Sequence, residues 1–369
     1  MSDVTLYLAR TLCVRPHHDD ATTFEIAWGE GSQRESFVTG SPVLASALAT
    51  APTKTLFDDE VGRLARLLNI DLPDARDLVT GLQNYGVYST EPHDLAAAEE
   101  RWLDVAWPDA LDLHLATHDA MWVHDYTGNP KVMTRYFVDR RLDPETPPPS
   151  RCPVPDGETV ELPAPKPLTE ALDAVQARRR TSRHFRDTSI DLADVATVLD
   201  WSFAPQSPAD DPTLYTAQTY SRGAPFVAFA LFSGDGAPPE VRRDFATYQY
   251  DPVGKTLVHR DSAAIDEWSE LLWQQTYADG APMVLVVCAD WLQYMWKYRT
   301  SRAYRWAYME CGAFMQTALT VGTGLGLQTF QTPAINDAAF CALLGVDDAS
   351  TGPLYMAAFG RRTHLGERA

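Results

Sequence analysis

Lys297 and Tyr298 stand side by side in Met-Trp-Lys-Tyr-Arg, after one apolar run and before a longer one that carries Tyr304 and Arg305. An ammonium group beside a phenol stabilises the phenolate, so the proton leaves more easily. Such a pair can act as the base that draws a proton off carbon. On a regular helix, adjacent side chains point about 100° apart and would not share a substrate. They converge where regular structure breaks, so the pair is expected at a strand-to-helix junction; the alternative is two solvated surface residues. A second concentration of chemistry lies upstream, where Arg178-Arg179-Arg180-Thr181-Ser182-Arg183 packs four guanidiniums and two hydroxyls into six residues. Guanidiniums clasp phosphate oxygens in bidentate fashion and hydroxyls complete the cradle, so this run reads as an anion site. The alternative is a basic helix end favoured by the helix dipole. Arg361-Arg362 offers a second basic pair for the same anion.

The elements that position these groups follow from periodicity. Residues Thr169 to Arg179 read as a helix running into the arginines, and Ile190 to Phe203 as another. A small polar loop, Thr219-Tyr-Ser-Arg-Gly-Ala-Pro, places Ser221 and Gly223 ahead of Phe226-Val-Ala-Phe-Ala-Leu-Phe, a continuous apolar strand. Its glycine lets backbone approach a flat ligand closely. Tyr248 to Leu257 reads as strand, turn and strand, Met283 to Ala289 as a second buried strand, and Leu354 to Gly360 as a closing one. Residues Arg302 to Gly322 form a helix apolar around its circumference, which must be covered by a core or by a partner subunit. The cluster Gly322-Thr-Gly-Leu-Gly ends it, and because it follows a helix it is not a dinucleotide fingerprint.

Upstream, residues 1–92 alternate short strand-like runs, such as Phe37-Val-Thr-Gly, with two helical patterns, Asp58 to Leu68 and Asp74 to Leu82. They resemble a small winged-helix-like module, which could bind a peptide strand along a sheet edge or simply cap the larger domain. Residues 93–141 form a helical extension rich in Trp and His (Trp102, Trp107, His114, His118, Trp122, His124). His114 and His118 are four apart, yet no third ligand accompanies them, so no metal is expected. Residues 142–168 are crowded with proline and read as an extended linker. Residues 169–369 carry the chemistry.

Composition narrows the classes. The chain has 369 residues, 45% hydrophobic, enough for a sizeable core. Its net charge of −19 argues against nucleic acid or an anionic membrane surface as partner. No apolar stretch approaches a membrane span of about 20 residues, and no secretory signal opens the chain. The five cysteines are scattered without a Cys-x-x-Cys, which fits a reducing, cytoplasmic setting. Cys288 and Cys311 read as small buried hydrophobes. Half of the ten tryptophans fall between Trp268 and Trp306, where they line an aromatic pocket or pack a core.

At this point the motifs resemble a known family. Arg179-Arg180-Thr181-Ser182-Arg183 is similar to the Arg-Arg-Ser-x-Arg opening of the nitroreductase superfamily, whose members bind FMN. Tyr220-Ser221-Arg222-Gly223-Ala224 is similar to the Pro-Ser-Gly-Gly-Ala loop of its SagB/ThcOx-type branch, and Tyr248 to Leu257 to that branch's Tyr-x-Tyr-Asp-Pro segment. Lys297-Tyr298, Tyr304-Arg305, Gly312, Gln316 and Gly324-Leu325-Gly326 follow in the branch's order. Two departures stand out: the family's Gly-His is Gly312-Ala313 here, and the double glycine of the serine loop is Arg222-Gly223.

The resemblance implies an α+β fold: a nitroreductase-like mixed sheet flanked by helices, a homodimer with FMN where the subunits meet. It implies that Arg179, Arg180, Thr181 and Arg183, with Arg361 or Arg362, hold the flavin phosphate. Ser221 and Gly223 would approach the flavin, with Gly324 and Gly326 also at the cofactor. Tyr298, aided by Lys297, would take a proton from substrate carbon while the flavin accepts hydride. The implied activity is oxidation of thiazoline or oxazoline rings in a ribosomally made peptide, with the modified precursor peptide as substrate and a cyclodehydratase as partner. Three other readings stay open: a related FMN dehydrogenase acting on another peptide or amino-acid-derived intermediate, an NAD(P)H-dependent nitroreductase, and a non-catalytic peptide-recruiting scaffold subunit.

Overall fold

The computed structural model describes residues 4–9, 12–17, 20, 22–28, 35–91, 110–111, 113–114, 117, 154–205, 226–260, 264–298 and 301–362, apart from the side chains of Trp296, Lys297 and Arg362. Ser221, Gly223, His118, His124, Trp102, Trp107, Trp122 and the first part of the proline-rich stretch lie outside these residues. The chain divides into two compact units, Met1–Gly128 and Asn129–Ala369.

The first unit holds strands β1 (Thr5–Leu8), β2 (Cys13–Pro16), β3 (Phe24–Trp28), β4 (Glu35–Thr39), β5 (Lys54–Leu56) and β6 (Tyr88–Ser89). Its helices are α1 (Pro42–Ala49), α2 (Phe57–Leu68) and α3 (Leu72–Asn84). The strands form two three-stranded antiparallel sheets, β5-β1-β6 and β2-β3-β4. Local chemistry sets the helix starts: the Ser41 side chain accepts from the Leu44 amide ahead of α1, and Asp71 from the Asp74 amide ahead of α3. Both helices carry proline in the first turn, where its missing N–H costs nothing. Leu6, Ile26, Leu48, Val61, Leu64 and Val79 fill the core.

One charged group is sunk in that core. Glu60 is fully buried and accepts from Tyr88 Oη at 2.5 Å and from Arg63 Nε at 2.7 Å, while Arg63 Nη1 donates to the Ala47 carbonyl at 3.1 Å. The cluster ties α1, α2 and β6 together, and burial pushes the Tyr88 phenol well above its usual range. Glu60→Gln removes the charge facing Arg63 and an acceptor from a filled network. It is expected to destabilise this unit by about 1–3 kcal/mol, read as a lower denaturant midpoint.

The second unit contains β7 (Thr159–Glu161), α4 (Leu172–Arg178), β8 (Thr188–Ser189), α5 (Leu192–Phe203), β9 (Phe226–Ser233), β10 (Asp244–Asp251), β11 (Thr256–Arg260) and β12 (Met283–Asp290). Then follow α6 (Trp291–Lys297), α7 (Ala303–Gly324), β13 (Gln328–Thr332), α8 (Asp337–Leu344) and β14 (Thr351–Arg362). The fold class is α+β. One sheet runs in the order β13-β14-β12-β9-β10-β11-β7, with β8 added beside β14. Its named strands pair antiparallel, and the parallel component is an isolated bridge between Thr181 and Thr329.

Side-chain alternation splits the sheet into two packed faces. Ala228, Ala230 and Phe232 of β9, with Leu285 and Val287 of β12, pack with residues of α5 and α7. Val227, Phe229 and Leu231, with Val284, Val286 and Cys288, pack with α8 and the Trp268–Leu271 turn. Covered on both faces, β12 is buried along its whole length. That is why it reads in the sequence as an unbroken apolar run. Part of the proline-rich stretch belongs to this unit: β7 is an edge strand on β11, and the Lys166 amide donates to Thr197 Oγ1 at 2.7 Å. Among the described residues no helix is long and apolar enough to cross a membrane.

Candidate functional site

The arginine run leaves the C-terminus of α4 and lies alongside β13, where the Ser182 amide donates to the Thr329 carbonyl at 2.8 Å. Its guanidiniums divide by task. Arg178 Nη2 donates to Glu170 Oε2 and to the Thr323 carbonyl, each at 2.5 Å, and so caps the end of α7. Arg180 Nη1 donates to the carbonyls of Ala177 (2.8 Å) and Arg179 (2.7 Å), capping α4. Both sit where a helix presents unsatisfied carbonyls and the negative end of its dipole. The guanidiniums of Arg179, half-buried, and Arg183, exposed, make no hydrogen bond or ion pair among the described residues.

Arg361 has another occupation. Its Nη2 donates to Asp194 Oδ2 at 2.8 Å and to the Leu325 carbonyl at 2.9 Å. Asp194 is fully buried and also receives Lys166 Nζ at 2.6 Å. A carboxylate so placed fixes Arg361 on the turn after α7 rather than leaving it free for an outside anion. That turn holds two of the expected glycines: Gly324 ends α7, and Gly326 has φ +78°, a conformation in which a β-carbon is strained. A further polar atom abuts this end of the sheet: Gln328 Oε1 on β13 is buried with no hydrogen-bond donor among the described residues.

At the other end of α7 stands Tyr298. It is the C-cap of α6, with φ −117° and ψ 96°, so it leaves the helix that Lys297 ends. The sequence points to a strand-to-helix junction; the structure instead interposes α6 between β12 and the pair. The cause is Asp290, whose side chain accepts from the Gln293 amide at 3.1 Å and starts a helix straight after the strand. An Asp at the end of an apolar strand, followed by Trp-Leu-Gln, is the signal that would have found it. The break in helical dihedrals falls at Tyr298, one helix later than expected.

The Tyr298 ring is half-buried, 5.2 Å from the ring of Tyr294 and 5.4 Å edge-on to that of Trp306. Tyr294 Oη donates to Oε2 of Glu310, itself buried in α7, at 2.6 Å. Tyr294 and Glu310 escape sequence reading, because an aromatic or an acid in a helix has no local mark of its neighbours. Of the clustered tryptophans, Trp268 is core, Trp273 is 64% exposed, Trp291 stacks on Tyr304 at 5.3 Å, and Trp306 meets Tyr298.

The arginine and tyrosine ends are thus separated by most of a 22-residue helix, about 25 Å from Trp306 to Thr323 at 1.5 Å per residue. An extended ligand or a second copy of the chain would bridge that distance. The charge, hydroxyls and unpaired amide oxygen at the first end fit a phosphate-bearing planar cofactor. The half-buried phenol packed against two aromatic rings at the second fits a proton acceptor.

Comparison with known proteins identifies the family. The curated Trifolitoxin operon protein TfxC of Rhizobium leguminosarum bv. trifolii is 25% identical over 323 residues, covering 82% of this chain and 86% of that protein. Among solved structures, a Ralstonia eutropha JMP134 protein assigned as a nitroreductase aligns with 18% identity and a TM-score of 0.47, covering 58% of this chain and 94% of that one. A chain of the E. coli microcin synthetase McbBCD complex with truncated pro-MccB17 bound aligns with 17% identity and a TM-score of 0.41, covering 74% and 99%. The Nitroreductase family matches residues 177–361, from the arginine run to the end of β14. That span is half of the chain and holds both ends of the site, so this protein belongs to the nitroreductase family, a family of oxidoreductases.

Proposed function

We propose that the protein is an FMN-dependent dehydrogenase that oxidises thiazoline or oxazoline rings to thiazoles or oxazoles in a ribosomally made peptide. The observation that carries the cofactor is the pair of guanidiniums, Arg179 and Arg183, free of carboxylates beside the hydroxyls of Thr181 and Ser182. These would hold the FMN phosphate, with Arg362 and the loop residues Ser221 and Gly223 as further contacts. When bound, FMN supplies the two-electron acceptor. Tyr298, held as a phenolate by the neighbouring Lys297 ammonium, takes the proton from the ring carbon at its phenolic oxygen and becomes a neutral phenol. The aromatic rings of Tyr294 and Trp306 orient the phenol.

A peptide substrate is supported by the motif order and by the relative from a trifolitoxin operon. The first unit supplies a place to hold it. A cavity of about 730 Å³ is lined by Trp28, Phe37, Asn84 and Tyr85, next to the edge strand β4, and an extended peptide can add to such an edge. A cyclodehydratase would make the rings this enzyme consumes. A homodimer is supported by α6 and α7, which leave Leu292, Met295, Tyr304, Tyr308 and Met309 at 43–59% exposure. Such an apolar face marks an interaction site.

A second reading, a related dehydrogenase acting on another peptide or amino-acid-derived intermediate, is favoured by the aromatic enclosure of Tyr298 together with Ala313 in place of the family's histidine. One experiment separates the possibilities. The purified protein should show flavin absorbance, and a cyclodehydratase-treated precursor peptide should lose two hydrogens per ring by mass spectrometry. A colourless protein that refuses added FMN would overturn the redox proposal. A yellow one that oxidises no azoline moves the assignment to the second reading, and rapid bleaching by NADPH alone points to a general nitroreductase.

A further inference from the structure

We propose that Tyr277 is a positioning residue for the anion site: its ring holds the Arg183 guanidinium in the orientation that receives a phosphate monoester. The inference rests on the FMN reading above and deepens it. The Arg183 guanidinium carbon lies 5.3 Å from the Tyr277 ring centroid, within the range of a cation–π contact. Behind it the tyrosine leans on Phe330 of β13, centroids 5.8 Å apart.

The kind of partner matters. A carboxylate would neutralise the guanidinium and compete with an incoming phosphate, as Asp194 does for Arg361. An aromatic face restrains the planar group through its π-surface and leaves its charge and N–H edges available. Tyr277 is itself 41% exposed, so the pair forms part of the surface a ligand meets.

The loop carrying Tyr277 is fixed at several points. Trp268 Nε1 donates to the Ala281 carbonyl at 2.9 Å, and Asp279 Oδ1 accepts the Ser269 amide at 2.9 Å. Trp273 and Gln274 both hold positive φ (52° and 64°), a strained choice for side chains of that size. Trp273 Nε1 donates to the Ile335 carbonyl at 2.9 Å and so secures that turn. The loop is also locked to the arginine segment: Phe185 is buried among Trp268, Leu271, Leu272 and Ala278. A β-carbon on Gly280 would lie 3.2 Å from the Arg186 backbone. Strain that persists only because its surroundings enforce it is characteristic of preorganised sites.

The test compares FMN with riboflavin, which lacks the phosphate, by flavin fluorescence quenching on the full chain. Tyr277→Leu is expected to weaken FMN roughly three- to tenfold, the span of a partly exposed cation–π contact, and to leave riboflavin affinity unchanged. Tyr277→Phe, which keeps the aromatic face, is expected to bind FMN as the wild type does. Equal FMN affinity in Tyr277→Leu and wild type overturns the inference. Equal losses for FMN and riboflavin overturn it too, because they would assign Tyr277 a general role in the fold. Should the leucine variant not fold, Tyr277→Gln carries the same expectations. A wild-type chain that binds neither flavin overturns the cofactor reading, and this inference with it.

Discussion

The double variant Lys297→Ala, Tyr298→Phe is expected to bind flavin as the wild type does and to lose about a hundred- to ten-thousandfold in turnover, the contribution of a positioned general base. The conservative half of this change is deliberate. Phenylalanine keeps the ring that packs at 5.2 Å from Tyr294 and 5.4 Å from Trp306, so the enclosure survives and only the proton-accepting oxygen is lost. Removing the ammonium as well prevents Lys297 from replacing the phenol as base. The arginine end lies at the far end of α7, so flavin absorbance should be unaffected. Single-turnover oxidation of the ring-bearing peptide measures the chemical step apart from binding. Retained turnover in a fully flavin-loaded variant would remove both residues from the catalytic assignment.

How much of this was readable in the amino-acid sequence depends on whether the signal was local. The buried strands β9 and β12 announce themselves because strands covered on both faces are apolar without interruption. Helix α5 is found because its apolar residues recur at helical spacing behind the Asp191 cap. Cys288 and Cys311 are buried as their apolar settings indicate, and burial raises the Cys311 thiol above its ordinary range. By contrast β13, Gln-Thr-Phe-Gln-Thr, gives no apolar run. It is a strand because β14 pairs with it and Phe330 fills the core behind it. Helix α7 looks apolar all round, yet Tyr304, Tyr308 and Met309 are exposed, which hydropathy cannot distinguish from burial.

The site shows the same division. Composition alone marks the arginine run as basic, and the motif order places it in a family. Which guanidiniums stay uncommitted is a long-range matter: Arg178 is spent on the Thr323 carbonyl and Arg361 on Asp194, partners 145 and 167 residues away. No local pattern carries that information. The same holds for Tyr277, which meets Arg183 only because Phe185 and Gly280 lock two separate segments together.

That division of labour sets the second large expected effect. Arg179→Ala with Arg183→Ala should weaken FMN at least about a hundredfold, since a hydrogen bond to a charged group contributes about 1.5–3 kcal/mol and two guanidiniums are removed. Riboflavin binding should change little, because neither residue is expected at the ring. Stability should also change little: the two side chains make no ion pair among the described residues, and exposed substitutions away from such features stay within about 0.5 kcal/mol. Arg178→Ala with Arg361→Ala should invert the pattern. Those two guanidiniums bond the Thr323 and Leu325 carbonyls, and Arg361→Ala takes one of two cations from buried Asp194. Loss of a partner from a buried ion pair costs about 3–5 kcal/mol, discounted here because the Arg361 side chain is 43% exposed. The melting temperature should therefore fall while the FMN affinity of the folded fraction falls less than in the first variant. Denaturation and flavin titration on both double variants decide the matter: equal FMN losses would mean that all four arginines share the anion, against the partition the hydrogen bonds describe.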